Sequence, residues 1–215
     1  MVTRLCLIVT AVAVSGAMAA ALQATRVHSF DATGTGTLPS GFTTAALRQS
    51  SPGDWTIAKV GSSNALAHAA DRSAEGWGLA LAPDAPPANL RLTGRVRLAG
   101  GNHTGGLVWH YQDARNFMAV LLNLDDGDLE LFRVSDGNRI RLEDRDGLEL
   151  DAQAWHAMRV VHVNGRTTVS IGGIRVLDHN DRRMSARVGL VGVVAHGQTD
   201  AAFDDLRIEH ANSSR

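Results

Sequence analysis

Cysteine is almost missing from this chain: Cys6 is the only one in 215 residues. Everything after residue 21 therefore lacks a disulfide, a thiolate nucleophile and a cysteine-based zinc site. Cys6 has no lipobox before it, because Thr3-Arg4-Leu5 lacks the small residues that motif needs. Lysine is as scarce, with Lys59 alone, and arginine supplies the rest of the positive charge. Aromatic residues make up 5% of the chain and the formal net charge is -1, with no basic run. That combination excludes a nucleic-acid footprint. The nine histidines form no HxH or HExxH spacing, so no zinc site is legible in them. No G-x-S-x-G is present, which excludes a nucleophile elbow. Helical periodicity between apolar runs is also absent, which removes βαβ architectures. No stretch after residue 21 is apolar enough to cross a membrane.

What is present begins with a distinct N-terminal segment. Arg4 gives a short positive region, Leu5 to Val14 is apolar, and Ala17-Met18-Ala19 has the small-x-small cleavage pattern. Residues 1–21 read as a signal peptide cut near Ala19 to Ala21, and residues 22–215 as one domain. The expected location is secreted or periplasmic. The competing reading of the segment is an uncleaved anchor.

From residue 28 onward, turn residues and short apolar runs alternate. The block Thr104 to Val134 stands at the centre. Its middle run, Phe117 to Leu124, is apolar on both faces and predicts a central strand buried from both sides. His28-Ser29-Phe30 reads as a first short strand, followed by the Gly- and Thr-rich loop Asp31 to Gly41. Leu90 to Leu98 alternates cleanly, with Leu90, Leu92, Gly94, Val96 and Leu98 on one face and Arg91, Thr93, Arg95 and Arg97 on the other. Asn164-Gly165 is the strongest type I′ hairpin signal. About a dozen strands with Gly-rich turns predict an all-β, two-sheet antiparallel jelly-roll sandwich.

Several segments resemble a known family. They include Gly36-Thr37-Leu38-Pro39-Ser40-Gly41-Phe42 after Phe30-Asp31, and Gly106-Leu107-Val108-Trp109-His110-Tyr111-Gln112-Asp113 with Asn116-Phe117. Leu131-Phe132-Arg133-Val134, Trp155-His156-Ala157-Met158-Arg159-Val160 and Phe203-Asp204-Asp205-Leu206 continue the pattern. In order and spacing they resemble secreted bacterial domains similar to laminin-G and concanavalin A-like lectins and glucanases. The 3-keto-disaccharide hydrolase domains come nearest in pattern. The resemblance implies two curved antiparallel sheets with a concave face that binds glycans in many relatives. This chain departs from the pattern at His110, Phe117 and Phe42, where the family commonly has Arg, Tyr and Trp.

The candidate site follows from the strand that ends in Trp109, His110, Tyr111, Gln112 and Asp113. Strict alternation puts Leu107, Trp109 and Tyr111 inward and His110 and Gln112 on the open face. Arg95, Arg97 and Arg133 join them if the sheet order follows the resemblance. Such a patch offers forked hydrogen bonds to sugar hydroxyls, and the expected partner is a glycan or cell-envelope polysaccharide. Terminal strands of such sandwiches often pair, which would bring Asp31, Asp204 and Asp205 together as oxygen ligands suited to calcium. Glu149-Leu150-Asp151-Ala152-Gln153 is a near miss for a glucanase E-x-D-x-x-E, because the third carboxylate is absent. The sequence thus favours a non-catalytic carbohydrate-binding or interaction module. A glycoside-processing hydrolase and a structural envelope protein are the alternatives.

Overall fold

The structure is a computed structural model that describes residues 25–47, 51–184 and 187–212. The expected signal peptide lies outside the described residues.

Fifteen strands account for the fold among the described residues. They are β1 (Arg26–His28), β2 (Thr43–Leu47), β3 (Asp54–Val60), β4 (Ser63–Ala69), β5 (Trp77–Leu81), β6 (Leu90–Gly100), β7 (Thr104–Asp113), β8 (Asn116–Asn123), β9 (Asp128–Ser135), β10 (Asn138–Arg145), β11 (His156–Val163), β12 (Arg166–Ile171), β13 (Ile174–Asn180), β14 (Leu190–His196) and β15 (Asp200–His210). One 3-10 turn, Arg182–Met184, interrupts them. Eight strands form one sheet in the order β13-β12-β11-β6-β15-β4-β3, with β1 beside β15. The other seven form a second sheet, β10-β9-β8-β7-β14-β5-β2. All pairings are antiparallel. The jelly-roll sandwich expected from the sequence is the observed fold.

The alternation of β6 shows how the sequence builds the layers. Leu90, Leu92, Val96 and Leu98 are buried between the sheets, while Arg91, Thr93, Arg95 and Arg97 face outward. Thirty buried residues form this inter-sheet core, anchored by Trp109, Phe203, Trp55 and Met158. Each buried Leu or Phe contributes about 1.5–3 kcal/mol by leaving water.

β8 is central and covered on both sides, as its double-faced apolar pattern requires. Met118, Val120 and Leu122 enter the inter-sheet core. Phe117, Ala119 and Leu121 enter a second apolar cluster on the other face of the same sheet. Val108, Phe132, Val134, Leu79, Leu81 and Val194, each exposed by 2% or less, share that cluster with Leu47 at 4%.

Turn chemistry agrees with the sequence at the β11–β12 hairpin. Asn164 and Gly165 both have positive φ, 50° and 84°, the backbone a type I′ turn demands. Two local readings change. The first strand runs Arg26–His28, ahead of the expected His28 to Phe30, and Phe30 plugs the core from the following loop at 2% exposure. β2, Thr43–Leu47, carries no clear signal in its TTAAL sequence, because its two threonines and two alanines sit side by side and do not alternate. It exists because β5 pairs it in register, Thr43 opposite Leu81 and Leu47 opposite Trp77.

Candidate functional site

The open face of the molecule is the outer side of the eight-stranded sheet. Outward residues of β11, β6 and β15 line a groove of about 610 Å³ there. β6 contributes Arg91, Thr93 and Arg95, β11 contributes Ala157 and Arg159, and β15 contributes Asp205, Arg207 and Glu209. Register places Ala157 opposite Arg95, and Arg159 opposite Thr93. Arg207 lies opposite Thr93 on the other side. The small side chains of Thr93 and Ala157 leave a trough between the longer walls.

A bulge in β15 shapes one wall. Phe203 and Leu206 both point into the core, so the two residues between them share the outer side. The register shifts between Asp204 and Arg207, and Asp205 has φ 51°, a left-handed backbone that Asp tolerates better than most residues. Both carboxylates then close on Arg95. Its Nη2 donates to Asp204 Oδ2 at 2.6 Å and its Nε to Asp205 Oδ2 at 2.7 Å. Asp204 also accepts the Asp205 backbone N–H at 2.8 Å. Burial raises the Asp204 carboxyl above its ordinary pKa, and the charges of Asp205 and Asp31 push the same way. The guanidinium of Arg95 lies 5.0 Å from the ring centroid of Trp155. Further along, Glu209 takes Arg91 at 3.4 Å and Arg207 at 3.9 Å.

Of the residues the sequence singled out, Arg95, Arg97, Asp204 and Asp205 lie on this face. Arg97 donates through Nε to the Gln153 carbonyl at 2.9 Å, which ties β6 to the loop before β11.

His110 is a correction. Alternation placed it on an open face, but it is fully buried. β7 bulges between Trp109 and Asp113, and His110 takes φ 53°. The extra residue reverses the phase of the strand. Tyr111 therefore joins the outer apolar cluster beside Phe117, with rings 5.8 Å apart. His110 turns inward, edge-on to His162 at 4.7 Å, with Nε2 3.1 Å from the Ala88 carbonyl oxygen. Its Nδ1 has no hydrogen-bond partner among the described residues. Burial first, and then His162, lower its pKa to about 3.

Arg133 is a second correction. It faces between the sheets and donates to Asp181 Oδ2 at 2.5 Å, with both residues exposed by less than 10%. It ties β9 of one sheet to the end of β13 in the other. Gln112 is exposed and donates to the Val188 carbonyl at 3.3 Å, far from the groove in sheet order. The patch drawn from the sequence is thus divided among three places.

The terminal strands do pair, β1 against β15, and Asp31 comes close enough to raise the Asp204 pKa. The three carboxylates do not fit calcium. Arg95 takes one oxygen of each of Asp204 and Asp205, the other Asp204 oxygen accepts the Asp205 backbone N–H, and Asp31 Oδ1 accepts the Asn64 backbone N–H at 3.0 Å. Among the described residues, no group of three or more His, Cys, Asp or Glu is placed to hold a metal ion.

The outer face of the seven-stranded sheet offers no acid pair on its central strands. Gly106 and Val108 of β7 lie beside Phe117, Ala119 and Leu121 of β8 on that side. On β9, nearer its edge, Glu130 is taken by Arg139 at 2.7 Å, and Asp128 on the same strand has its carboxyl raised by burial and by the charges of Asp126, Asp146 and Glu130. Glu149 and Asp151 lie in the loop before β11, where Asp151 Oδ1 accepts the Gln153 N–H at 2.8 Å.

The groove residues missed from sequence include Arg159, Arg207 and Glu209. The signal was available in part, because Ala157, Arg159 and Val161 alternate with buried Met158 and Val160.

Comparisons with known proteins agree with the fold. No protein-family model matches the chain, and no curated protein matches it in sequence. Among solved structures, the carbohydrate binding module CBM66 from Bacillus subtilis aligns with a TM-score of 0.62 at 16% identity, over 79% of this chain and 95% of that one. A native glycosidic hydrolase aligns with a TM-score of 0.60 at 10% identity, over 90% and 98%. The VIP36 exoplasmic/lumenal domain, in a Ca2+/Man-bound form, aligns with a TM-score of 0.59 at 11% identity, over 89% and 91%. The chain shares the galectin-like and concanavalin A-like sandwich with these proteins.

Proposed function

We propose that the protein is a non-catalytic carbohydrate-binding module whose ligand lies in the groove across β11, β6 and β15. The observation that carries this reading is the groove itself. It places guanidinium donors, carboxylate acceptors and the Thr93 hydroxyl around one trough of about 610 Å³, with Arg95 stacked on Trp155 beside it. Vicinal hydroxyls pair with such forked donors and acceptors. Solved structures of the same fold include a carbohydrate binding module and the VIP36 exoplasmic/lumenal domain in a Ca2+/Man-bound form, which supports a glycan as the ligand class.

The groove favours binding over hydrolysis. A retaining glycosidase needs a nucleophilic carboxylate and an acid about 5 Å apart. Both groove carboxylates are already committed, Asp205 to Arg95 and Glu209 to Arg91. The nearest-pattern hydrolase activity therefore stands behind the binding reading. The N-terminal pattern supports export, which brings the domain to extracellular or envelope polysaccharides. N-terminal sequencing of exported protein should begin near residues 20–22.

Glycan-array binding of the domain tests the function. Arg207→Ala and Arg159→Ala should each weaken binding at least tenfold, and Gln112→Ala should leave it unchanged. Binding to no glycan, or binding indifferent to both groove variants, overturns this assignment. Turnover of a keto-sugar or β-glucan overturns the non-catalytic part of it.

A further inference from the structure

We infer that the groove selects acidic glycans, with Arg159 taking a uronate carboxylate. This rests on the carbohydrate-binding reading and narrows its ligand class.

The argument is a local charge balance. Four arginines line the groove, against the carboxylates of Asp205 and Glu209. Three of the four are held by the fold. Arg95 is clamped by Asp204 and Asp205, and Glu209 is shared by Arg91 and Arg207. Arg159 differs. It is exposed, and among the described residues it has no hydrogen-bond or ion-pair partner. Its cross-strand neighbours are Thr93 on β6 and Ser170 on β12. Those hydroxyls leave its charge unanswered.

The placement gives this unpaired guanidinium a use. Arg159 stands on the β11 wall, facing across Thr93 to Arg207 on β15. An anion in the trough therefore meets a positive wall on each side. A planar guanidinium matches a planar carboxylate through two parallel N–H···O bonds. The sugar ring that carries the carboxylate would reach Asp205 and the Thr93 hydroxyl with its own hydroxyls. A neutral sugar leaves the Arg159 fork without an acceptor, so the site discriminates between them.

The experiment uses isothermal titration with four probes: polygalacturonate, the same polymer after carboxyl reduction, a sulfated glycan and a neutral β-glucan. Polygalacturonate should bind at least tenfold more tightly than its reduced form, and rising salt should weaken it. Arg159→Ala should abolish that preference, and Arg159→Lys should restore only part of it. Melting temperatures of both variants should stay at the wild-type value, because Arg159 has no partner to lose. Equal binding of native and reduced polymer, an unchanged preference in Arg159→Ala, or tighter binding of the sulfated glycan overturns uronate selection and leaves the carbohydrate-binding reading standing. Binding to none of the four probes overturns both.

Discussion

Arg139 and Trp77 meet across the outer face of the seven-stranded sheet, with the guanidinium carbon 5.6 Å from the indole centroid. Four strands separate them: β9, β8, β7 and β14. In a flat sheet that interval is about 24 Å, at roughly 4.8 Å per strand. Two long side chains spanning it require a strongly curved sheet whose edges approach each other. The same guanidinium sits 4.3 Å above the Phe132 ring and bonds Glu130 at 2.7 Å. This face is drawn together by an arginine over an apolar floor.

Arg139→Ala should therefore cost about 1–2 kcal/mol of stability, combining a partly desolvated cation–π contact with a lost ion pair. Arg139→Lys keeps the charge near Glu130 but loses the planar stack, and should recover less than half of the loss. Urea unfolding of the three proteins checks both expectations. A lysine variant as stable as wild type would show that charge alone matters there.

The buried histidine pair predicts an acid-sensitive fold. His110 faces His162 on β11, the Ala88 carbonyl and the charge of Arg187, and its pKa in the fold is about 3. The unfolded chain takes up this proton below the ordinary value of 6.5 while the folded chain does not. Stability from this group is thus complete above pH 6.5 and is lost as pH falls toward 3. The loss should reach about 3 kcal/mol between pH 6.5 and pH 4. His68 and His196, also lowered by burial, add to the same slope. His110→Asn removes the titration and keeps a residue that tolerates positive φ. Its unfolding free energy should fall less steeply over that range, whatever its value at pH 7. An unchanged slope would mean that His110 does not titrate on unfolding.

The same residue shows where the sequence stops being readable. The layers were legible because burial on a sheet imposes period two, and β6 obeys it from Leu90 to Leu98. β8 was legible as central because both its faces are apolar. β7 was legible as far as Trp109. The bulge after it has no Gly or Asn to announce it, and His110 takes the left-handed backbone instead. One inserted residue then exchanged the faces of His110 and Tyr111. The outward arginines of β6 were placed correctly for the same periodic reason. Arg133 was not, because a buried ion pair depends on Asp181, 48 residues away, and no local pattern encodes that distance.

Arg133→Ala should leave Asp181 buried without its cross-sheet partner and destabilise the domain by about 3 kcal/mol. Arg183 also bonds Asp181, at 2.8 Å, and should keep the loss from growing larger. A double-mutant cycle with Asp181→Ala, read by urea unfolding, should show coupling between the two sites. Glycan binding should persist in Arg133→Ala wherever the protein is folded. Loss of binding without loss of stability would return Arg133 to the ligand site.

Arg95 makes the most discriminating claim about the β15 bulge. It stands where a metal would have to stand, between Asp204 and Asp205. Millimolar calcium or a chelator should therefore leave the wild-type melting temperature unchanged, and a calcium-dependent rise would show that the carboxylates prefer a metal to the arginine. Removing the guanidinium has a defined pH signature. At pH 7, Arg95→Ala leaves the Asp204 charge buried at 2% exposure, with Asp31 and Asp205 repelling it. The expected cost is about 2 kcal/mol, below the usual value for a fully buried pair because the Arg95 side chain is 39% exposed. Asp204 already protonates more readily than an ordinary carboxyl, and without Arg95 it should do so at still higher pH. The neutral acid carries no buried charge, so the cost should shrink between pH 7 and pH 4. A destabilisation that stays constant over that range would mean that Arg95 contributes packing on Trp155, not charge, to this corner of the fold.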